Sequence, residues 1–263
     1  MNIKQFFGLL VPVVALASFT LLQPNKTKIY LIGDSTVCDQ PIDRYPVTGW
    51  GTPFANYFDS SIVVDNRAKG GRSTRTFLEE NRWQPVVDSL KAGDYVLMQF
   101  GHNDEAKEPQ YAARYTSVPD YEKNLIKFIN ETRSKQAFPI LVTPVSRRTF
   151  DKEGKVKETH IEYTAAVFEV GKQLNTPVID LDAKSRKLYQ QFGPDDSKLL
   201  FMELDSAEHP IYPKGRHDNT HFTDYGARLI AQIVLNEIKA QQLPLAARIV
   251  KGNNTAIVSP QAK

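Results

Sequence analysis

A five-stranded parallel sheet with helices on both faces, an α/β fold built as a three-layer α/β/α sandwich, is the architecture this sequence predicts. Short apolar runs rich in Val, Ile and Leu alternate along the chain with longer amphipathic stretches. The apolar runs are continuous, without the in-out alternation of a sheet that has one wet face, so both of their faces must be covered. Each run ends in Gly, Asp, Ser, Asn or Pro, the residues that turn a parallel strand back toward a crossover helix.

Lys28-Ile-Tyr-Leu-Ile-Gly33 reads as the first buried strand, and a helix is expected after its terminal turn. Ser61–Asp65, Asp94–Phe100, Phe138–Thr143 and Thr176–Asp180 supply the other four. Between the third and fourth lies Val118–Gln136, opened by Pro119-Asp120. There Tyr121, Leu125, Ile126, Phe128 and Ile129 fall on one helical face, with Glu122, Lys123, Lys127 and Glu131 on the other. Ile161–Leu174 repeats the pattern, and Thr223–Gln242 supplies a terminal helix capped by Thr223-Asp224.

The composition is globular: 263 residues, 41% hydrophobic and 24% charged, with 14 Gly, 16 Pro and one Cys. That excludes a disordered chain, a collagen and a disulfide scaffold. A formal net charge of +3 with no basic run gives no support for a nucleic-acid partner. Residues 1–17 carry Lys4, an apolar stretch and the triplet Ala15-Leu16-Ala17, which reads as an export signal, with cleavage after Ala17 or as late as about residue 23. The competing reading is an uncleaved membrane anchor, which needs roughly 18 or more apolar residues; Phe6–Leu22 falls just short. The expectation is therefore a secreted or periplasmic monomer with no stable membrane insertion after cleavage. It would comprise one domain over residues 28–242 and a tail over 243–263, with Cys38 unable to form an intrachain disulfide.

Ligands of open parallel sheets bind beyond the carboxyl ends of the strands. Strand one runs into Gly33-Asp34-Ser35-Thr36 and strand two into Asn66–Ser73. Strand three runs into Gly101-His102-Asn103-Asp104 and strand four into Pro144–Arg148. A serine nucleophile at Ser35 needs a base, an orienting acid and oxyanion donors. Five histidines are available. His160 opens a helix and reads as solvated, and His102 has only Asp104 nearby. His221 has Asp218 three residues before it, able on a turn to reach Nδ1 and direct Nε2 outward. The pair His217 and His221 has zinc-motif spacing, but that motif needs a helix, and Pro210, Pro213 and Gly215 indicate a loop entering a helix cap. Gly71 can present a backbone N–H without a Cβ in the way, Asn103 a side-chain amide, and Ser35 its own N–H. Cys38 is a rival nucleophile, more simply read as a small buried side chain. The elbow G-x-S-x-G is absent, as are a P-loop and a dinucleotide fingerprint.

Gly33-Asp34-Ser35, Gly71, Gly101-x-Asn103-Asp104 and Asp218-x-x-His221 together resemble the four blocks of the SGNH (GDSL-type) hydrolases, over about residues 28–240. Asn66–Arg75, Phe100–Asp104 and Thr143–Arg148 more narrowly resemble the rhamnogalacturonan acetylesterase branch. The resemblance implies a flavodoxin-like sheet, Ser35 as nucleophile, His221 as base and Asp218 as its partner. It also implies Ser35, Gly71 and Asn103 as oxyanion donors, no metal or cofactor, and O-acetyl groups of a pectic polysaccharide as substrate. For such an anionic polymer Arg72, Arg147, Arg148 and Arg216 are candidate carboxylate contacts, the alternative being that they are solvated or paired. Tyr45 and Trp50 could stack on a sugar or belong to the core. Acetylated xylan or a small acyl ester on the same machinery, and a binding protein without turnover, are the rival functions.

Overall fold

The computed structural model describes residues 26–250. The expected export signal and the last part of the expected tail lie outside the described residues. Five strands form the parallel sheet: β1 (Thr27–Gly33), β2 (Ile62–Asn66), β3 (Tyr95–Gln99), β4 (Phe138–Val142) and β5 (Val178–Ile179), in the order β2-β1-β3-β4-β5. The chain moves outward from β1 to β2 and then crosses back to place β3 on the other side of β1. The β1/β3 boundary is thus the topological switch point, where a crevice opens at the carboxyl edge.

Seven α-helices accompany the strands among the described residues: α1 (Gly51–Phe54), α2 (Thr74–Glu79), α3 (Gln84–Ser89), α4 (Val118–Ser134), α5 (Ile161–Gln173), α6 (Leu181–Asp196) and α7 (Asp224–Ala240). Alternate residues of β1 face opposite cores, as strand geometry requires. Tyr30 and Ile32 pack with Phe77, Trp83, Phe128 and Val167 from α2 to α5, while Ile29 and Leu31 pack with Phe54, Tyr189, Ile230 and Val234 from α1, α6 and α7. Among the described residues no helix is long and apolar enough to cross a membrane.

Two features depart from the sequence expectation. No helix follows β1 directly: the chain turns, with Val37 and Cys38 N–H both donating to the Asp34 carbonyl, and α1 begins only at Gly51. The segment before the terminal helix is a strand, β7 (Arg216–Phe222), paired antiparallel with β6 (Phe201–Leu204). Its register jumps, Met202 facing Asp218 and the adjacent Phe201 facing Phe222, so residues 219–221 bulge out of the ladder. Such bulges re-aim side chains beside active sites. Here the bulge carries His221.

Candidate active site

The β1 turn is braced from inside. Asp34 is fully buried and its Oδ1 accepts from the Thr36 N–H (2.9 Å) and hydroxyl (2.8 Å). Gln99 Nε2 donates to Thr36 Oγ1 (2.7 Å), and Trp50 Nε1 donates to Gln99 Oε1 (2.7 Å). Burial opposes the Asp34 charge, but His102 and the Thr36 donors outweigh it and hold the carboxyl below its ordinary range. Trp50 is therefore core, while Tyr45 is 47% exposed beside the His209 ring. Gly33 has to be glycine because a Cβ there would overlap the Gln99 carbonyl.

Ser35 stands on this braced turn. His221 Nε2 lies 2.9 Å from Ser35 Oγ, and His221 Nδ1 lies 2.8 Å from Asp218 Oδ2. The other carboxylate oxygen, Oδ1, accepts the N–H groups of Thr220 and His221, both at 3.0 Å, which shapes the bulge. Arg216 Nη2 adds a donor to Oδ2 at 2.6 Å. Burial alone would raise the Asp218 carboxyl, but the His221, Arg216 and backbone donors hold it far below the usual carboxylate range. An ionised Asp218 fixes the His221 proton on Nδ1 and leaves the Nε2 lone pair toward the serine.

The donors face the same cleft. Gly71 has φ +79, a left-handed conformation that favours glycine, and among the described residues no protein acceptor takes its N–H or that of Ser35. Asn103 Nδ2 donates to the Arg72 carbonyl at 3.1 Å, using one of its two hydrogens. Two tyrosines clamp the loop that carries Asn103: Tyr121 donates to the Phe100 carbonyl, and Tyr163 to the carbonyls of Asp104 and Thr116. Ser35, Gly71, Asn103 and His221 all line a cleft of about 1020 Å³.

Of the four arginines singled out from the sequence, Arg147 lines this cleft, beside Glu105 at 3.3 Å. The structure places the other three outside it, each engaged in holding the site. Arg72 pairs with Glu80 and donates to the Gly70 carbonyl; Arg148 ties Ser197 and the Pro194 carbonyl to Asn219 in the bulge; Arg216 serves Asp218. Arg44, Lys69 and Arg114 line the cleft instead.

His160 is not solvated but 1% exposed, its Nδ1 2.8 Å from Glu105 and its ring 4.2 Å from that of His102. Burial drives the His102 imidazole down to about 4. His102 Nδ1 faces Asp34 at 3.3 Å, not Asp104, whose Oδ1 is taken by Thr74. His217 is exposed and faces Glu203, so it and His221 do not converge on a common point. Cys38 lines the cleft, but burial pushes its thiol up to about 11, far from a reactive thiolate.

A family model described as the GDSL-like lipase/acylhydrolase family matches residues 31–229. A rhamnogalacturonan acetylesterase of Bacillus subtilis is 42% identical over 223 residues, covering 85% of this chain and 94% of that protein. A probable rhamnogalacturonan acetylesterase of the same bacterium is 35% identical over 225 residues, 85% of this chain and 97% of that protein. The crystal structure of a third Bacillus subtilis protein, YxiM, superimposes with a TM-score of 0.72 at 28% identity, covering 83% of this chain and 58% of that one.

Proposed function

Because the chain belongs to the GDSL-like lipase/acylhydrolase family, we propose that it is a serine esterase that removes O-acetyl groups from rhamnogalacturonan. The observation that carries the reading is the relay from Ser35 Oγ to His221 Nε2 at 2.9 Å and from His221 Nδ1 to Asp218 at 2.8 Å. His221 takes the Ser35 proton as Oγ attacks the acetyl carbonyl, and returns it to the departing sugar oxygen. Water, deprotonated by the same imidazole, then releases acetate from the acetyl-enzyme. Ser35 N–H, Gly71 N–H and the free hydrogen of Asn103 Nδ2 receive the oxyanion, and each such donor is worth about 3 kcal/mol in the transition state.

The substrate reading rests on the two rhamnogalacturonan acetylesterase relatives and on the cleft itself. Lys107 and Arg147 there face Glu162 and Glu105, whereas Arg44 and Lys69 have no carboxylate partner among the described residues and can meet the carboxylates of an acidic polysaccharide. Residues 1–17 have the pattern of an export signal, which suits a substrate outside the cell, and the esterase is read as acting there as a monomer.

The test is acetate release by the purified protein from acetylated rhamnogalacturonan and from acetylated xylan, at matched acetyl content. Faster release from rhamnogalacturonan, abolished by Ser35→Ala, is the expected result. Equal or faster release from xylan overturns the substrate assignment while leaving the esterase chemistry in place.

A further inference from the structure

Asn103 is the one oxyanion donor whose direction the backbone does not fix. A primary amide can sit in two orientations, and only one presents its NH2 to the substrate. Here Oδ1 accepts from Arg114 Nη1 at 3.0 Å, and Nδ2 donates to the Arg72 carbonyl at 3.1 Å. A guanidinium offers only donors and a carbonyl only an acceptor. Turning the amide over would set NH2 against guanidinium and oxygen against carbonyl, so both partners oppose the flip.

We propose that Arg114 is a positioning residue of the oxyanion hole: it holds the Asn103 amide with its second N–H toward Ser35 and, by its charge, makes that N–H a stronger donor. The inference rests on the esterase reading above. Arg114 Nη1 would lie 3.6 Å from a Cβ placed on Gly71, so one guanidinium spans from Asn103 to the glycine that carries a second donor. The Arg114 guanidinium is seated over the Tyr111 ring at 4.0 Å, and the Arg114 backbone N–H donates to the Tyr111 carbonyl at 2.9 Å. Arg72, Arg147 and Arg216 each face a carboxylate. Arg114 has none within ion-pair distance among the described residues, and it lines the cleft. Its charge is therefore not neutralised by an acid, and it acts on the developing oxyanion through the Asn103 amide that it polarises.

The experiment measures kcat and KM on a neutral aryl acetate for the full chain, Arg114→Met, Arg114→Lys, Asn103→Ala and the double variant Asn103→Ala/Arg114→Met. A neutral substrate removes any contribution from substrate carboxylates. Arg114→Met is expected to lower kcat about tenfold or more with KM within about twofold, and Arg114→Lys to recover part of the loss. In the Asn103→Ala background Arg114→Met is expected to cost no further factor, because the two residues act as one unit. In a further variant, Arg114→Ala, added guanidinium ion is expected to restore part of the lost kcat, which keeps the test sound if the methionine variant folds poorly. An unchanged kcat, a change confined to KM, or an equal loss with and without Asn103 overturns the inference while wild type remains active. A wild-type chain with no turnover overturns the esterase reading and this inference with it.

Discussion

Asp218 shows how much chemistry one short side chain can organise. Its Oδ1 shapes the bulge through two backbone N–H groups, while its Oδ2 sets the His221 tautomer with help from Arg216. Asp218→Asn would keep the volume but lose the charge, and an amide can present NH2 to Nδ1, leaving the imidazole proton on Nε2. The expected cost is on the order of 10⁴ in kcat on an aryl acetate with the fold intact by circular dichroism. At this scale the sequence is legible where geometry is local. Asp218 and His221 are three residues apart and Gly33-Asp34-Ser35 is contiguous, so their spacing alone constrains how they meet. The arginines are not legible in the same way, because a side chain that long selects its partner through tertiary structure. Arg72 finds Glu80 and Arg148 finds Ser197 and Asn219, whereas Arg114, eleven residues beyond Asn103 in an irregular loop, carries no sequence pattern at all.

Among the elements, the parallel strands and the helices α4, α5 and α7 are legible because burial imposes their periodicity. The hairpin β6–β7 is not. Its second strand is Arg216-His-Asp-Asn-Thr-His-Phe222, in which Arg216, Asp218 and His221 serve the site and only Phe222 is buried. Nor is α6 legible: its charges outweigh its apolar stripe, and Gly193 (φ +75) kinks its last turn. Helices α4 and α5 do more than cover the sheet, since Tyr121 and Tyr163 fasten the Asn103 loop. Tyr163→Phe leaves the Asp104 and Thr116 carbonyls without that donor; a loss of about 1–3 kcal/mol in denaturant unfolding is expected, together with a lower kcat as the loop loosens. On the opposite face Gly226, in the first turn of α7, sits against the Leu200 carbonyl, where a Cβ would overlap it. Gly226→Ala should therefore force α7 away from the turn at Leu200 that leads into the hairpin and destabilise the protein by about 1–3 kcal/mol, read as a fall in Tm.

For the molecule as a whole, two buried groups beside the switch point oppose each other in their response to pH. Burial lowers the His102 imidazole from 6.5 to about 4, so between those values the unfolded chain binds a proton that the folded chain refuses, and stability is lost as pH falls through that window. At roughly 1.4 kcal/mol per pH unit this amounts to about 3 kcal/mol. Burial raises the Asp104 carboxyl from 3.8 to about 7, so the folded chain keeps a proton the unfolded chain has released, and this stability is lost as pH rises through that range. Across the overlap the two slopes cancel. Replacing His102 with Gln removes one of them, so the change in Tm from pH 6.5 to 4.5 should be more favourable in His102→Gln than in wild type. An identical change in both proteins would mean that His102 is not buried neutral.

In the proposed mechanism Ser35, activated by His221, forms a covalent bond to its substrate. Labelling with a fluorophosphonate, followed by peptide mass spectrometry, tests it most directly, because the reagent reacts with a serine only when a base has activated it. One adduct on the peptide carrying Ser35, lost in His221→Ala, is the predicted result. An unlabelled protein, an adduct on another residue, or labelling that survives the loss of His221 would contradict it.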